Sequence, residues 1–194
     1  MTVARHLVVI LMLLLSGCAT FRDGVNPPIT KWPPPDLAPE KKSVALQLTG
    51  SAIVNGSPAD VNPKFLEKWR EQVVTAYQSS GLFSEIKVGT EPADIRAEVN
   101  ITDNGEGSKV LAFITGFTLF IVPCHVREGF IVKTTYLDNA GTPLGTFEKT
   151  EFADMWMQLF LLPVTPFKPP SEFKEMLYDL NRNTLIEAHG KGLF

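Results

Sequence analysis

The sequence predicts an α+β fold, a mainly antiparallel sheet with its helices packed on one face, and three observations carry that reading. Apolar residues recur at helical spacing between Asn62 and Gly81; apolar and polar residues alternate from Ile95 to Thr102; two extended segments flank the turn-rich tetrad Asp138-Asn139-Ala140-Gly141. A period near 3.6 marks one buried helix face, and a period of two marks a strand with one buried and one wet face.

In chain order, Val44-Ala45-Leu46-Gln47-Leu48 reads as a buried strand that extends toward Ile53-Val54. Asn62-Pro63 supplies an N-cap and a proline at the first helical position, where a missing N–H has no intrahelical partner to lose. Phe65, Leu66, Trp69, Val73, Ala76 and Tyr77 form the apolar stripe of that helix, and Gly81 its stop. Leu82 to Val88 reads as a short strand. Ile95, Ala97, Val99 and Ile101 then alternate with Arg96, Glu98, Asn100 and Thr102, and Phe130–Leu137 with Thr142–Thr150 forms a hairpin. A last helix opens at Ser171 with Glu172 and Glu175 in its first turn, where carboxylates suit the helix dipole. It buries Phe173, Met176, Leu177, Leu180 and Ala188 and stops at Gly190. The order is β-α-β-β, a hairpin, then α.

The chain of 194 residues, 44% hydrophobic and 20% charged, is sized and composed for one globular domain with a proper core. Its formal charge is −3, and because Arg5 is the only charge among residues 1–17, removing that leader leaves −4. A mildly acidic chain with scattered lysines has no basic stripe for nucleic acid, so that partner class is set aside.

The N-terminus begins with Arg5 and His6 and continues into an uninterrupted apolar run from Leu7 to Leu15. That is the layout of a secretory signal, too short to span a membrane as a stable helix. Leu15-Ser16-Gly17-Cys18 follows and resembles the bacterial lipobox, an aliphatic residue and two small residues before a cysteine that is lipidated and becomes the first mature residue. Ala19 in the second mature position resembles the outer-membrane sorting pattern of Gram-negative bacteria. The resemblance implies an outer-membrane lipoprotein whose domain faces the periplasm, anchored by acyl chains worth about 0.8 kcal/mol per buried methylene. With Cys18 carrying lipid, Cys124 has no disulfide partner within the chain.

Residues 18–42 hold Pro27, Pro28, Pro33, Pro34, Pro35 and Pro39, and proline can enter neither a helix interior nor a central strand. This stretch reads as a semi-rigid tether able to hold the domain up to ~70 Å from the bilayer at about 3.1 Å per residue. The other reading is that part of it wraps the domain, with Trp32 docked. The organisation expected is a signal peptide at 1–17, lipidated Cys18 and tether at 18–42, and the folded domain at 43–194.

Two segments stand apart from a plain sheet protein. Val110 to Pro123 carries no charge, and neither does Met155 to Phe167; each follows a polar strand and includes or ends at proline. They are core elements covering the sheet, or an exposed apolar surface for a protein partner or acyl chain, or segments that dip into the membrane interface. Neither reaches the ~20 residues of a spanning helix. Phe113, Phe117, Phe120, Trp156 and Phe160 are the candidates for such a surface. Trp156 is expected to be buried, and at least one phenylalanine near Gly116 exposed.

Reactive constellations are scarce. His125 and His189 are the only histidines after the leader, and Cys124-His125 is a lone pair of ligand types that reads as a buried thiol beside a surface histidine. Adjacent strand residues point to opposite faces, which argues against a thiol–imidazole catalytic pair. Gly105-Glu106-Gly107 lacks a third glycine and reads as a loop. Glu148, Glu151 and Asp154 offer paired carboxylates for glycoside hydrolysis, but read first as solvated charge. No catalytic residue, metal site or cofactor is expected.

Together, lipobox, proline-rich tether and β-α-β-β opening resemble small envelope lipoproteins of Gram-negative bacteria. The element order over about residues 43–190 is loosely similar to the α/β domains of the curli-secretion lipoprotein and the Pel polysaccharide export lipoprotein. No pair of membrane-spanning hairpins is evident, so no pore is expected. The resulting expectation is a non-enzymatic, membrane-anchored lipoprotein that binds or scaffolds an envelope protein or lipid; the alternative is a small envelope hydrolase using surface carboxylates.

Overall fold

Residues 17–35, 40–161 and 172–194 are described by the structure, a computed structural model, with the side chains of Phe160 and residues 172–174 outside that description. Helix α1 (Pro63–Ser80) starts and stops where its capping residues dictate. Asn62 accepts a hydrogen bond from the Lys64 backbone N–H, Pro63 takes the first helical position, and Gly81 adopts φ +64° to close the last turn. Trp69, Val73, Ala76 and Tyr77 are buried on one side of this helix. The Trp69 ring lies over Gly50, where an added Cβ would come within 3.0 Å of it, so that glycine is required by close approach.

The described residues form one seven-stranded sheet. Its strands are β1 (Gly17–Arg22), β2 (Val44–Val54), β3 (Ser57–Ala59), β4 (Ile86–Val88), β5 (Ile95–Gly107), β6 (Cys124–Asp138) and β7 (Pro143–Gln158). They are ordered β1-β7-β6-β5-β2-β3, with β4 also paired to β2. The pairings of β2 with β5 and with β4 are parallel, and the others are antiparallel. Parallel neighbours need a crossover, and α1 supplies it. Helix α3 (Glu172–Gly190) packs beside α1, burying Met176, Leu177, Leu180 and Ala188. Expected burial of Phe173 falls outside the described side chains. The core between helices and sheet joins these residues to Ile95, Ala97, Val99, Ile101, Val132 and Tyr136, and the Tyr77 and Tyr136 hydroxyls meet at 2.9 Å inside it. This is the α+β arrangement expected.

Two local expectations change and a third is decided. Leu82–Val88 is strand only at Ile86–Val88, because Leu82 and Phe83 turn into the core instead of pairing. Gly105-Glu106-Gly107 is no loop but the end of β5, since β6 extends back to Cys124 and pairs Val126 with Gly107. The third point decides between the two readings of residues 18–42: residues 18–35 lie against the domain, which is the wrapping alternative and not a free tether. Gly17–Arg22 forms the edge strand β1 on β7, the Asn26 amide donates to the Thr150 carbonyl at 2.8 Å, and Trp32 Nε1 donates to Ser79 Oγ at 3.1 Å. The Arg182 guanidinium covers the Trp32 ring at 4.6 Å. Proline excludes sheet only where proline occurs, and the first is Pro27, so β1 was free to form.

Candidate functional site

Antiparallel pairing brings four chain positions to one end of the sheet: the end of β5 at Gly107, the start of β6 at Cys124, the end of β7 at Gln158 and the start of β1 at Gly17. Cys18 and Cys124 both pair with Met157, one from each side. Helix α2 (Lys109–Phe117) bridges β5 to β6 at this end, and a 3₁₀ turn (Leu159–Leu161) follows β7. The Leu159 N–H donates to the Phe120 carbonyl at 2.9 Å, tying the two excursions together.

Helix α2 is inverted relative to an ordinary surface helix. Ser108 caps it, accepting from the Leu111 N–H at 3.1 Å. Thr115 is its one buried residue and returns its hydroxyl to the Leu111 carbonyl at 2.8 Å. Val110 is 70% exposed, Phe113 74% and Phe117 81%, with the two phenyl rings stacked along the helix at 6.4 Å. The turn that follows holds Leu119 at φ +52° and Phe120 at φ +63°, left-handed conformations that bulky residues rarely adopt. Such strain persists only where surrounding contacts impose it. Phe120 is half-buried, whereas Leu119 and Ile121 stay exposed. The first apolar run is therefore surface.

Of the other candidates, Trp156 is 40% exposed rather than buried, because its position in β7 points to the face without helices, where it lies against His125 at 4.6 Å. Phe160 sits in the 3₁₀ turn with its side chain outside the described residues, as is the remainder of the second run from position 162. His125 Nε2 lies 2.6 Å from Asp154 Oδ1, and Arg127 donates to the other carboxylate oxygen at 3.3 Å. Cys124 is buried. Glu148 is exposed, but Glu151 is not solvated: it is buried and receives both Nε and Nη2 of Arg22, at 2.6 and 2.8 Å. Arg22 also donates to Asp179 at 2.8 Å, so this network clamps β1 to β7 and α3. Among the described residues no group of three potential metal ligands occurs, and no helix is long and apolar enough to cross a membrane.

A different carboxylate pair was missed. Asp103 opposes Phe130 and Gly105 opposes Glu128, so Asp103 and Glu128 are diagonal neighbours on the helix-covered face, about 7–8 Å apart at the backbone. With Phe65, Lys68, Trp69, Glu71, Gln72, Phe130 and Leu177 they line a cavity of about 380 Å³ beneath α1. Asp103 Oδ1 is shut off from solvent without a hydrogen-bond partner, and neither carboxylate has an ion-pair partner among the described residues. Burial pushes the Asp103 carboxyl up to about 6. Burial, and then the Asp103 charge, pushes Glu128 up to about 7. The signal was present in the alternation, since Asp103 continues the inward phase of Ile95, Ala97, Val99 and Ile101, and Glu128 that of Phe130 and Val132.

No family model matches the chain, and no curated protein matches it. Among solved structures it is similar to a minor lipoprotein from Acinetobacter baumannii, at 12% identity and a TM-score of 0.42, covering 79% of this chain and 95% of that one. It is also similar to a PelC dodecamer subunit from Paraburkholderia phytofirmans, at 9% identity and a TM-score of 0.33, covering 87% and 96%. A protein from Caulobacter crescentus CB15 assigned as a lipoprotein follows at 11% identity and a TM-score of 0.24, covering 72% and 83%. These are the kinds of protein the element order resembles. Likeness of this degree transfers no residue and no activity.

Proposed function

We propose that this chain is a membrane-anchored lipoprotein, lipidated on Cys18, that binds or scaffolds an envelope component and does not catalyse a reaction. The observation that carries the reading is the apolar face of α2, which no other part of the described chain covers and which lies at the sheet end that bears Cys18. Soluble surfaces rarely present contiguous apolar area of this kind unless something covers it. An outer-membrane position with the domain in the periplasm follows from Ala19 and belongs to the same proposal. Because β1 starts one residue before Cys18, the lipid and the domain are adjacent, and the reach of a long tether is not needed.

Replacing Cys18 with Ser tests the anchor. The variant is expected to remain uncleaved or to leave the membrane fraction, and processing and fractionation indistinguishable from wild type would refute the proposal. Recovery of a bound envelope component from membranes with the intact lipoprotein, reduced by Phe113→Asp, tests the binding role.

The hydrolase alternative has a specific observation behind it, in residues other than Glu148, Glu151 and Asp154. Asp103 and Glu128 are two carboxyls lining one cavity from diagonal positions on neighbouring strands, and one of them is raised to about 7, as a general acid requires. Against it, the cavity wall exposes more apolar than polar surface, with Phe65, Trp69, Phe130 and Leu177 set beside Lys68, Glu71 and Gln72.

A further inference from the structure

We infer that the exposed face of α2 is a second membrane contact, lying in the bilayer interface beside the lipid on Cys18, so that the domain stands on the membrane by this end of its sheet. The inference rests on reading Cys18 as lipidated and names the occupant of the surface just described.

Position is the first argument. Cys18 and Cys124 are separated only by Met157 across the β1–β7–β6 ladder, two strand spacings or about 10 Å. Cys124 is where the chain from α2 enters the sheet. Since Cys18–Arg22, the part of β1 left after cleavage, is hydrogen-bonded to β7, an acyl chain on Cys18 has little slack between it and the domain, and the surface it enters lies beside the sheet end from which α2 projects.

Charge is the second. From Gly107 to Arg127 there is no acidic residue, and Lys109 and Arg127 are the only formal charges. A surface meant for headgroups keeps carboxylates out of its apolar face, as the run from Gly107 to Arg127 does; at its margin Lys109 is exposed, while Arg127 is already paired with Asp154 and Glu106 lies beside it. Shape is the third. Nine helical residues measure about 13.5 Å, far short of a span, but a helix of that length can lie in the membrane plane with one face down. Leu111 and Thr115 hold it to the protein while Val110, Phe113 and Phe117 point away. Trp156, half in and half out at the same sheet end, has the amphipathic ring that favours the headgroup level.

The test uses the full lipoprotein reconstituted into vesicles of phosphatidylethanolamine and phosphatidylglycerol in which part of the lipid carries brominated acyl chains. Phe117→Cys and, separately, Asn139→Cys at the hairpin tip of the opposite sheet end each receive a bimane label; Cys124 is buried and Cys18 is blocked by its thioether. Bimane at position 117 is expected to be quenched several-fold more strongly by the brominated chains than bimane at 139, and Phe113→Asp should reduce that difference. Equal, weak quenching at both positions with the protein still held in the vesicles overturns the inference while leaving the anchor reading intact. Protection of position 117 from aqueous iodide without quenching by brominated lipid also overturns it, because a protein surface then covers α2. Label on Cys18 together with release from vesicles shows that the anchor reading itself has failed, and the inference with it.

Discussion

Helices α1 and α2 are built from similar apolar residues and put them to opposite uses. In α1 the aromatic and aliphatic residues repeat at i, i+4, i+7 and i+8 with charges between them, so one face enters the core and the other meets water. In α2 apolar residues surround the axis and the polar Thr115 faces inward. Sequence periodicity reports which residues share a face, and reports nothing about α2 because nearly every face there is apolar. Burial in such a segment is decided by what lies opposite. The sheet and α3 lie opposite α1, whereas α2 sits beyond the last row of the sheet with only the start of β6 beside it. Apolar content alone therefore does not identify core.

Removing one aromatic from each helix tests that contrast directly, and the largest effect belongs to α1. Trp69→Ala should lower stability by about 3–5 kcal/mol in denaturant melts, because the ring is buried, meets Phe130 edge-on at 5.7 Å and cannot be replaced by collapse over Gly50. A loss under about 1 kcal/mol would mean that α1 is not a core helix.

A smaller effect probes the carboxylates beneath α1. Asp103 and Glu128 have folded pKa values of about 6 and about 7, above their ordinary values of 3.8 and 4.5. The folded state therefore holds more protons than the unfolded state between these limits, so stability should fall as pH rises from about 4 to about 7 and level off above that. Both groups keep substantial contact with solvent, which tempers the slope. The double variant Asp103→Asn, Glu128→Gln should flatten this part of the profile and be relatively more stable at alkaline pH. An unchanged slope would show that the pair is solvated and the cavity open.

The smallest effect is expected in α2. Phe117→Ala should change stability by no more than about 0.5 kcal/mol, since an exposed ring loses little on truncation. A loss of several kcal/mol would erase the contrast between the two helices and make α2 core.

Much of the fold was legible. Asn62, Pro63 and Gly81 carry the boundaries of α1 in their own backbone preferences, and the alternation from Ile95 assigns β5 and its inward face. What failed to show were partners. Nothing near Gly105 announces that β6 continues far enough to pair with it, and nothing near Arg22 announces a carboxylate 129 residues away. Glu151 looked solvated for the same reason. The strand period places its side chain on one face, yet only α3 and the neighbouring β1 bury that face, and β1 supplies the charge that Glu151 requires.

Local chemistry by itself determined the α+β class, the capped helix, the alternating strand, the hairpin and the lipobox-like Leu15-Ser16-Gly17-Cys18, because each is specified by residues within a few positions of one another. The tertiary structure alone decided that β1 pairs with β7, that Asp103 and Glu128 share a cavity, and that Cys18 and α2 lie at the same end of the sheet. Strand order and register create those neighbours, and both are set by burial and hydrogen bonding summed over the whole sheet, a quantity no short stretch of sequence contains.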